Sequence, residues 1–165
     1  MTANQELITY FYQSFQNKNY KAMQNCYADT AIFNDEVFVN LTSNEVKAMW
    51  EMFCVKGNVQ LNFSNVLADE KNGSAEWTAT YTFSKTNRKV INPVRANFVF
   101  SNNRILSHTD HFSFYRWASQ ALGIPGILLG WTSFMKTKIR KEARKNLMQY
   151  MKNTKLNLKQ ILLKC

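Results

Sequence analysis

The chain is poor in the residues that mark several classes of protein. Its 165 residues include three cysteines, five glycines and two prolines. The cysteines are Cys26, Cys54 and Cys165, and this odd number without a C-x-x-C pair predicts neither a disulfide framework nor a zinc site. This cysteine content favours a location in the reducing cytoplasm. With 45% hydrophobic residues, the composition excludes collagen-like repeats and disorder, and the length fits one domain.

Signals for secretion and for a membrane span are also missing. Glu6 precedes any apolar run at the N-terminus, so we expect no signal peptide. The stretch Trp117–Met135 has no charged residue, but Gly123, Pro125 and other small or polar residues interrupt it. We therefore predict a helix that ends near Leu122–Gly123, a Gly-Ile-Pro-Gly turn and a new helix near Thr132.

Acidic residues are scarce in the C-terminal segment. The whole chain has a net charge of +10, and the segment 136–165 alone has a net charge of +9, because Glu142 is its only acidic residue. Apolar residues recur there at every fourth position, namely Met135, Ile139, Ala143, Leu147 and Met151, which predicts a basic amphipathic helix. Three interpretations remain open: a solvated helix packed on the domain, attachment to an anionic surface through Lys136–Lys164, or nonspecific attraction to nucleic acid. Because Tyr150 is the only aromatic residue in the segment 136–165 and no nucleic-acid recognition motif is present there, we expect no specific nucleic-acid binding.

The N-terminal third has helical spacing. Thr2 and Gln5 form a capping-box pattern that opens an amphipathic helix, and Thr42 and Glu45 form a second one before a helix that ends at Gly57. Between these helices we predict a short helix over Tyr20–Tyr27 and a brief strand over 31–33.

From Asn58 the apolar period changes to two, as in β-strands. Strands follow one another with turn signals between them, and the alternation is clearest in Trp77, Ala79, Tyr81 and Phe83. The predicted fold class is α+β, with three helices against one curved antiparallel sheet and further helices at the C-terminus.

This order of elements resembles a known superfamily. The segments Tyr27–Asp29, Ala31–Asp35 and Ser107–Phe112 are similar to those of nuclear transport factor 2-like proteins, and among them the SnoaL-like proteins. The resemblance implies a cone-shaped, cystatin-like fold around a pocket and a homodimer formed through the outer face of the sheet. It divides the chain into a SnoaL-like α+β domain over 1–114 and a basic helical extension over 115–165 packed on the same domain. The segments Asp110–Trp117, Gln120–Gly123 and Leu128–Trp131 resemble a C-terminal extension seen in some bacterial members.

The resemblance also assigns candidate catalytic residues. Asp35 falls where the ketosteroid isomerase branch carries its proton-transferring carboxylate, and in an apolar pocket its pKa would rise toward neutral. The alternative is a solvated turn residue between Asn34 and Glu36. The two acid donors of that branch have no counterpart. The tyrosine position falls on Phe11, beside Tyr12, and the aspartate position falls near Ala96 or Asn97, neither of which is an acid.

A second candidate is the pair His108 and Asp110, which share one face of a strand with Leu106 and Phe112. Asp110 falls where SnoaL-type cyclases carry an acid/base aspartate, and the two side chains could shuttle a proton. The alternative is a satisfied polar pair with Arg116 as counter-ion. His108, Asp110 and His111 cannot all face one way, so no metal site is predicted.

Aromatic residues predict an apolar ligand site. The predicted ligand contacts are Tyr12, Phe15, Trp50, Trp77 and Phe98. No glycine-rich phosphate loop or activated nucleophile is present, and no cofactor is expected. Two functions follow from the sequence: a cytoplasmic protein that binds a small apolar molecule, with isomerase, cyclase or hydratase-type acid/base chemistry, or a non-enzymatic module that docks on an anionic surface such as a membrane.

Overall fold

The computed structural model describes the backbone of residues 1–162 and the side chains of residues 1–155. Lys159, Lys164 and Cys165 therefore lie outside the described side chains. The helices are α1 (Ala3–Gln16), α2 (Tyr20–Asn25), α3 (Ser43–Lys56), α4 (Phe114–Leu122), α5 (Ile124–Leu129) and α6 (Ser133–Leu162). The strands are β1 (Tyr27–Asn34), β2 (Leu41–Thr42), β3 (Gln60–Ala68), β4 (Asn72–Phe83), β5 (Arg88–Ser101) and β6 (Arg104–His111).

Local capping starts the first and third helices, as predicted. Thr2 and Gln5 exchange side-chain and backbone hydrogen bonds of 3.2 and 2.8 Å at the start of α1. Thr42 donates its backbone N–H to Glu45 at 2.8 Å at the start of α3. Because these bonds satisfy amide groups that a helix start leaves free, they define where each helix begins.

The six strands form one sheet in the order β2-β1-β6-β5-β4-β3, against which α1 and α3 pack. The α+β fold class is confirmed. The strand pairs are antiparallel except for β1 and β6, which run parallel. A hairpin joins only antiparallel neighbours, whereas β1 and β6 are separated by residues 35–103 and meet through tertiary packing.

The inner face of β6 differs from the prediction at one position. Leu106 was expected to face inward with His108, but Ile105 is the fully buried residue and Leu106 is partly exposed. The register shifts here, because Phe100 pairs with Ile105 and Val99 pairs with Ser107. This bulge adds one residue to β6 and reverses the alternation before His108.

The C-terminal helices cover one end of the sheet. The predicted Gly-Ile-Pro-Gly turn is wrong in part, because a short helix, α5, forms there with Pro125 in its first turn. Gln120 of α4 bonds both backbone groups of Ile91, at 2.8 and 3.1 Å, where β5 extends beyond the end of β6. The α4 side chain thus satisfies a strand edge that would otherwise be open.

Helix α6 lies back along the domain. Leu147 is fully buried in the main core, and Ala143 and Met151 pack beside it. Met135 and Ile139 pack instead on a second cluster around Trp117 of α4. The predicted apolar face of this helix is therefore the one that is buried. Among the described residues, no helix is long and apolar enough to cross a membrane.

Candidate functional site

Asp35 lies in a tight turn directly after β1. Its backbone N–H donates to the carbonyl of Phe38 at 2.7 Å, and its Oδ1 accepts from the amides of Val37, at 2.6 Å, and of Phe38. This is the pattern in which an aspartate side chain closes its own turn. Within the described contacts, Oδ2 has no hydrogen-bond partner.

The environment of Asp35 opposes its ionisation. Burial raises its pKa from 3.8 to about 7, although the amides of Phe38 and Val37 favour the charged form. The negative charges of Asp110 and Glu36 add to this increase. Burial outweighs the hydrogen bonds because these bonds replace only part of the lost hydration. The residue therefore combines features of both interpretations: it is a turn residue, and its carboxyl group changes charge near neutral pH.

Asp35 is also a neighbour of Asp110 across two strands. Asn34 pairs with Thr109 in the parallel β1–β6 register, and the next residues along the two strands are Asp35 and Asp110. Asp110 is 3% exposed and belongs to the inner face of the sheet. Fold topology thus brings together two carboxylates that are 75 positions apart in the sequence.

His108 and Asp110 form the predicted pair on the inner face of β6. His108 is fully buried, and its Nε2 lies 3.0 Å from Asp110 Oδ1. Its Nδ1 lies 2.6 Å from the hydroxyl of Tyr27, which in turn accepts from Trp50 Nε1 at 2.9 Å. Asp110 Oδ1 also accepts from Trp77 Nε1 at 3.3 Å.

The donors in this network favour one arrangement of its protons. An indole nitrogen only donates, so the Tyr27 oxygen accepts from Trp50, and its own proton can be donated to His108 Nδ1. In this arrangement Nε2 of the imidazole donates to Asp110, and Tyr27 and Asp110 together hold the ring in one tautomer. Arg116, the counter-ion suggested by sequence, is exposed and contacts neither residue.

Three of the predicted ligand contacts, Phe15, Trp50 and Phe98, pack around the hydrogen-bond network of His108. The ring of Phe98 lies 4.3 Å from the His108 ring, and that of Trp50 stacks on it at 6.1 Å. Phe15 packs edge-on against Trp50 at 5.2 Å. All three are at most 2% exposed, so their measured contacts are with the core.

The other two predicted contacts, Tyr12 and Trp77, lie next to the carboxylate of Asp110. Their rings are 6.0 Å apart. The Tyr12 hydroxyl is fully buried and has no hydrogen-bond partner in the described part of the chain. Burial raises its pKa well above 10.0, and the negative charge of Asp110 adds to this effect. An orphaned hydroxyl in a core is unusual, because an unmade buried hydrogen bond costs about 1–3 kcal/mol.

A further hydroxyl was not foreseen as a donor. Tyr81 accepts from Trp117 Nε1 at 2.7 Å, so its own proton is available to another acceptor. Burial raises the pKa of Tyr81, and the charge of Asp35 adds to the increase, which places the phenol within electrostatic range of that carboxylate. Strand alternation predicted that Tyr81 faces inward, but only the packing of α4 supplies the indole that orients its hydroxyl.

Two open grooves of the surface include none of Asp35, Asp110, Tyr12 and Tyr81. One is lined by Trp77 together with Glu76, Pro93, Arg95 and His111, and the other by Ile91, Tyr115 and Gln120. No group of three or more potential metal ligands occurs among the described residues. The inner side offers the oxygens of Asp35, Asp110, Tyr12 and Tyr81. Oδ1 of Asn92, at an inward position of β5, is also buried without a hydrogen-bond partner among the described residues.

Comparison with known structures places this geometry in a recognised fold. A protein from Xanthomonas campestris pv. campestris, provisionally named a polyketide cyclase, is 15% identical with a TM-score of 0.64, covering 72% of this chain and 96% of that one. An epoxide hydrolase of M. tuberculosis, described as LEH-like, is 15% identical with a TM-score of 0.62, covering 76% and 92%. A Catenulispora acidiphila protein with a ketosteroid isomerase-like fold, solved with trimethylamine, is 15% identical with a TM-score of 0.63, covering 77% and 97%. At this identity the similarity establishes the nuclear transport factor 2-like fold alone.

The sequence itself matches the SnoaL-like domain family over residues 8–108, which is more than half of the chain. The protein therefore belongs to the SnoaL-like family. No curated protein matches the sequence significantly.

Proposed function

We propose that the inner side of the sheet binds a small, mainly apolar molecule with a carbonyl or similar oxygen, and that Asp35 acts on it as a general base. The observation that carries this proposal is that Asp35, whose Oδ2 is free of described bonds, is aligned with Asp110, a carboxylate that also acts on the orphaned hydroxyl of Tyr12. Aromatic walls suit an apolar ligand body, and a few convergent polar atoms would orient it.

The proposed step is removal of a proton from the carbon next to the carbonyl. The free oxygen of Asp35 takes the proton, and the electron pair of the C–H bond moves to the carbonyl oxygen as an enolate. The hydroxyls of Tyr81 and Tyr12 donate hydrogen bonds to that oxygen. In a ligand whose C=C bond is conjugated with the enolate, return of the proton from Asp35 to the far carbon of that bond gives an isomerisation. Attack of the enolate carbon on a second carbonyl of the same molecule, whose oxygen takes the proton back from Asp35, gives a cyclisation. The tyrosines would thereby take the place of the two acid donors that the sequence lacks.

His108 and Asp110 would act as positioning residues in this scheme. The imidazole, held by Tyr27, fixes one oxygen of Asp110, and the negative charge of Asp110 helps to keep the pKa of Asp35 near neutral. A base with a pKa near the working pH combines an ionised fraction with adequate basicity. Phe15, Trp50 and Phe98 support the network by packing, and Tyr12 and Trp77 remain the proposed ligand contacts.

Hydrogen–deuterium exchange of 2-tetralone in D₂O, followed by NMR, tests the proposal. This apolar ketone has acidic protons next to its carbonyl, and the folded protein should accelerate their exchange. Asp110→Asn should move the midpoint of the pH–rate profile to lower pH, because it removes a charge that raises the pKa of Asp35. Absence of acceleration for 2-tetralone and for a panel of larger cyclic ketones would contradict general-base chemistry.

A further inference from the structure

A cluster of apolar side chains is exposed on the C-terminal helices, away from the site described above. Six of the eleven residues from 124 to 134 are large, apolar and 44–75% exposed. They are Ile124, Ile127, Leu128, Leu129, Trp131 and Phe134. We call this group the α5 patch. Single exposed apolar residues are common on protein surfaces, but a contiguous group of this kind marks an interaction site.

The exposure is imposed by tight packing beneath α5. A Cβ atom at Gly126 would lie 1.9 Å from the carbonyl oxygen of Ala118, so the backbones of α4 and α5 meet at that glycine. The indole N–H of Trp131 donates to the carbonyl of Leu128 at 3.0 Å, although the side chain is 75% exposed. The helix is thus anchored by its backbone side, and it cannot rotate its apolar side chains into the core.

The chain segment that carries the patch has only positive charges. No Asp or Glu occurs between Asp110 and Glu142. On α6, Phe134 begins an outward strip that continues through Lys138, Lys141 and Lys145 at helical spacing, and these lysines form no ion pair within the described contacts.

Other basic residues of α6 face the domain instead. Lys136 pairs with the carboxylate of Glu36, Arg140 bonds its carbonyl at 3.0 Å, and Arg144 pairs with Glu45 at 2.7 Å. The basic helix is therefore divided into a side that holds it on the domain and a cationic strip that faces outward.

We propose that the α5 patch and the lysine strip dock on the surface of an anionic lipid bilayer. The apolar side chains would enter the boundary between headgroups and acyl chains, where tryptophan is favoured, and the lysines would contact lipid phosphates. Charge complementarity selects this occupant over a second copy of the chain, because a symmetric contact would bring two cationic strips together. The proposal is independent of the proposed function.

Co-sedimentation of the full chain with vesicles tests it. The protein should bind vesicles of equal parts phosphatidylglycerol and phosphatidylcholine, and bind pure phosphatidylcholine far more weakly. Leu128→Ser should weaken the binding about tenfold. Leu67→Ser is the matched control, because Leu67 has the same 63% exposure on β3, and it should leave the binding unchanged.

A second pair of variants tests the charge. Replacing Lys138, Lys141 and Lys145 by Gln should reduce binding on the order of a hundredfold at low salt, since each lysine near an anionic membrane contributes about 1 kcal/mol. The control replaces Lys21, Lys71 and Lys89, which are exposed elsewhere, and should have a much smaller effect. Circular dichroism confirms that each variant is folded.

Several outcomes would overturn the proposal. Absence of binding to the anionic vesicles by the wild-type chain is the first. Equal losses in the two lysine triples would show general electrostatic attraction without a defined surface. A concentration-dependent dimer in sedimentation equilibrium, lost in Leu128→Ser and unaccompanied by vesicle binding, would assign the α5 patch to a second copy.

Discussion

Two turns in this molecule have the same local structure and opposite electrostatics. In the β1–β2 turn, the Asp35 amide donates to the carbonyl three residues on at 2.7 Å, and Oδ1 accepts from the amides two and three residues on. In the β3–β4 turn, Asp69 makes the same three bonds, at 2.9, 2.7 and 2.7 Å. Each aspartate is followed by a glutamate.

The pKa values of the two aspartates nevertheless move in opposite directions. Asp69 is exposed, and the amides of Asn72 and Lys71 lower its pKa. The same bonds at Asp35 are outweighed by burial, with a further contribution from Asp110, and its pKa rises to about 7. Identical local hydrogen bonding therefore accompanies a lowered pKa in the exposed turn and a pKa of about 7 in the buried one.

The largest expected effect is a difference in catalysed exchange rate between matched variants of the two turns. Asp35→Asn keeps the oxygen that closes the turn but removes the base, so catalysed exchange of 2-tetralone should fall by about 10²–10⁴-fold. Asp69→Asn makes the same chemical change in the matched turn and should leave the rate unchanged. A rate that survives Asp35→Asn would exclude Asp35 as the base.

The next effect concerns the network behind the inner carboxylates. Tyr27→Phe leaves the Trp50 N–H and His108 Nδ1 without their partner in a fully buried site, and it should lower the free energy of unfolding by about 2–4 kcal/mol. Urea denaturation measures this change. Tyr10→Phe, at a position 52% exposed, should alter stability by less than about 0.5 kcal/mol. Similar losses in both variants would show that the Tyr27 hydroxyl contributes little.

The pH dependence of stability should have opposite signs at the two aspartates. The folded protein binds the Asp35 proton more tightly than the unfolded chain does, so this group lowers stability as pH rises from about 4 to about 7. Asp35→Asn should remove that loss and raise stability at pH 8 on the order of 2 kcal/mol, allowing for partial exposure of the carboxyl group. Asp69, whose pKa is lowered, stabilises the fold above its unfolded pKa and loses this contribution as pH falls.

Denaturation of both variants across this pH range checks the signs. The Asp35→Asn curve should be flatter than that of the wild type between pH 4 and 7, whereas Asp69→Asn should retain the wild-type slope there. A wild-type stability that rises over this interval in step with Asp35→Asn would contradict the raised pKa of Asp35.

The smallest effect tests the glutamates that follow the two aspartates. Glu36 is paired with Lys136, and its negative charge raises the pKa of Asp35. Glu36→Gln should lower that pKa slightly and speed the exchange reaction at pH 6 by about twofold. Glu70→Gln, in the exposed turn, should leave the rate unchanged. A slower reaction at pH 6 in Glu36→Gln would contradict this assignment.

Much of the fold is predictable from short-range patterns. Capping boxes mark the starts of α1 and α3, and the period of two marks β4 and β5, because these signals arise from hydrogen bonds and side-chain directions within a few residues. The parallel pairing of β1 with β6 and the bulge near Leu106 are not predictable in this way. Both depend on how distant segments meet in the sheet.

The same distinction between short-range signals and contacts of distant segments applies to the candidate site. Strand alternation and family resemblance identify Asp35, His108 and Asp110 as candidates, but they do not show that Tyr27 fixes the imidazole or that Trp117 frees the proton of Tyr81. Those partners come from other helices and strands. Hydrogen-bond direction in a buried network depends on all of its members, so it becomes visible only after the chain is folded.

The two turns show this division most clearly. Each turn is closed by bonds within four residues, because a short acidic side chain reaches the amides two and three residues ahead, and such local bonding depends on the sequence by itself. A turn at Asp35 is one of two interpretations of its sequence context, and Asp69 carries no such prediction. Only the tertiary structure decided that the Asp69 carboxyl group lies in water, whereas that of Asp35 is largely withdrawn from water and within electrostatic range of Asp110. The free energy of a charge depends on the dielectric and the charges around it, and distant parts of the chain supply both.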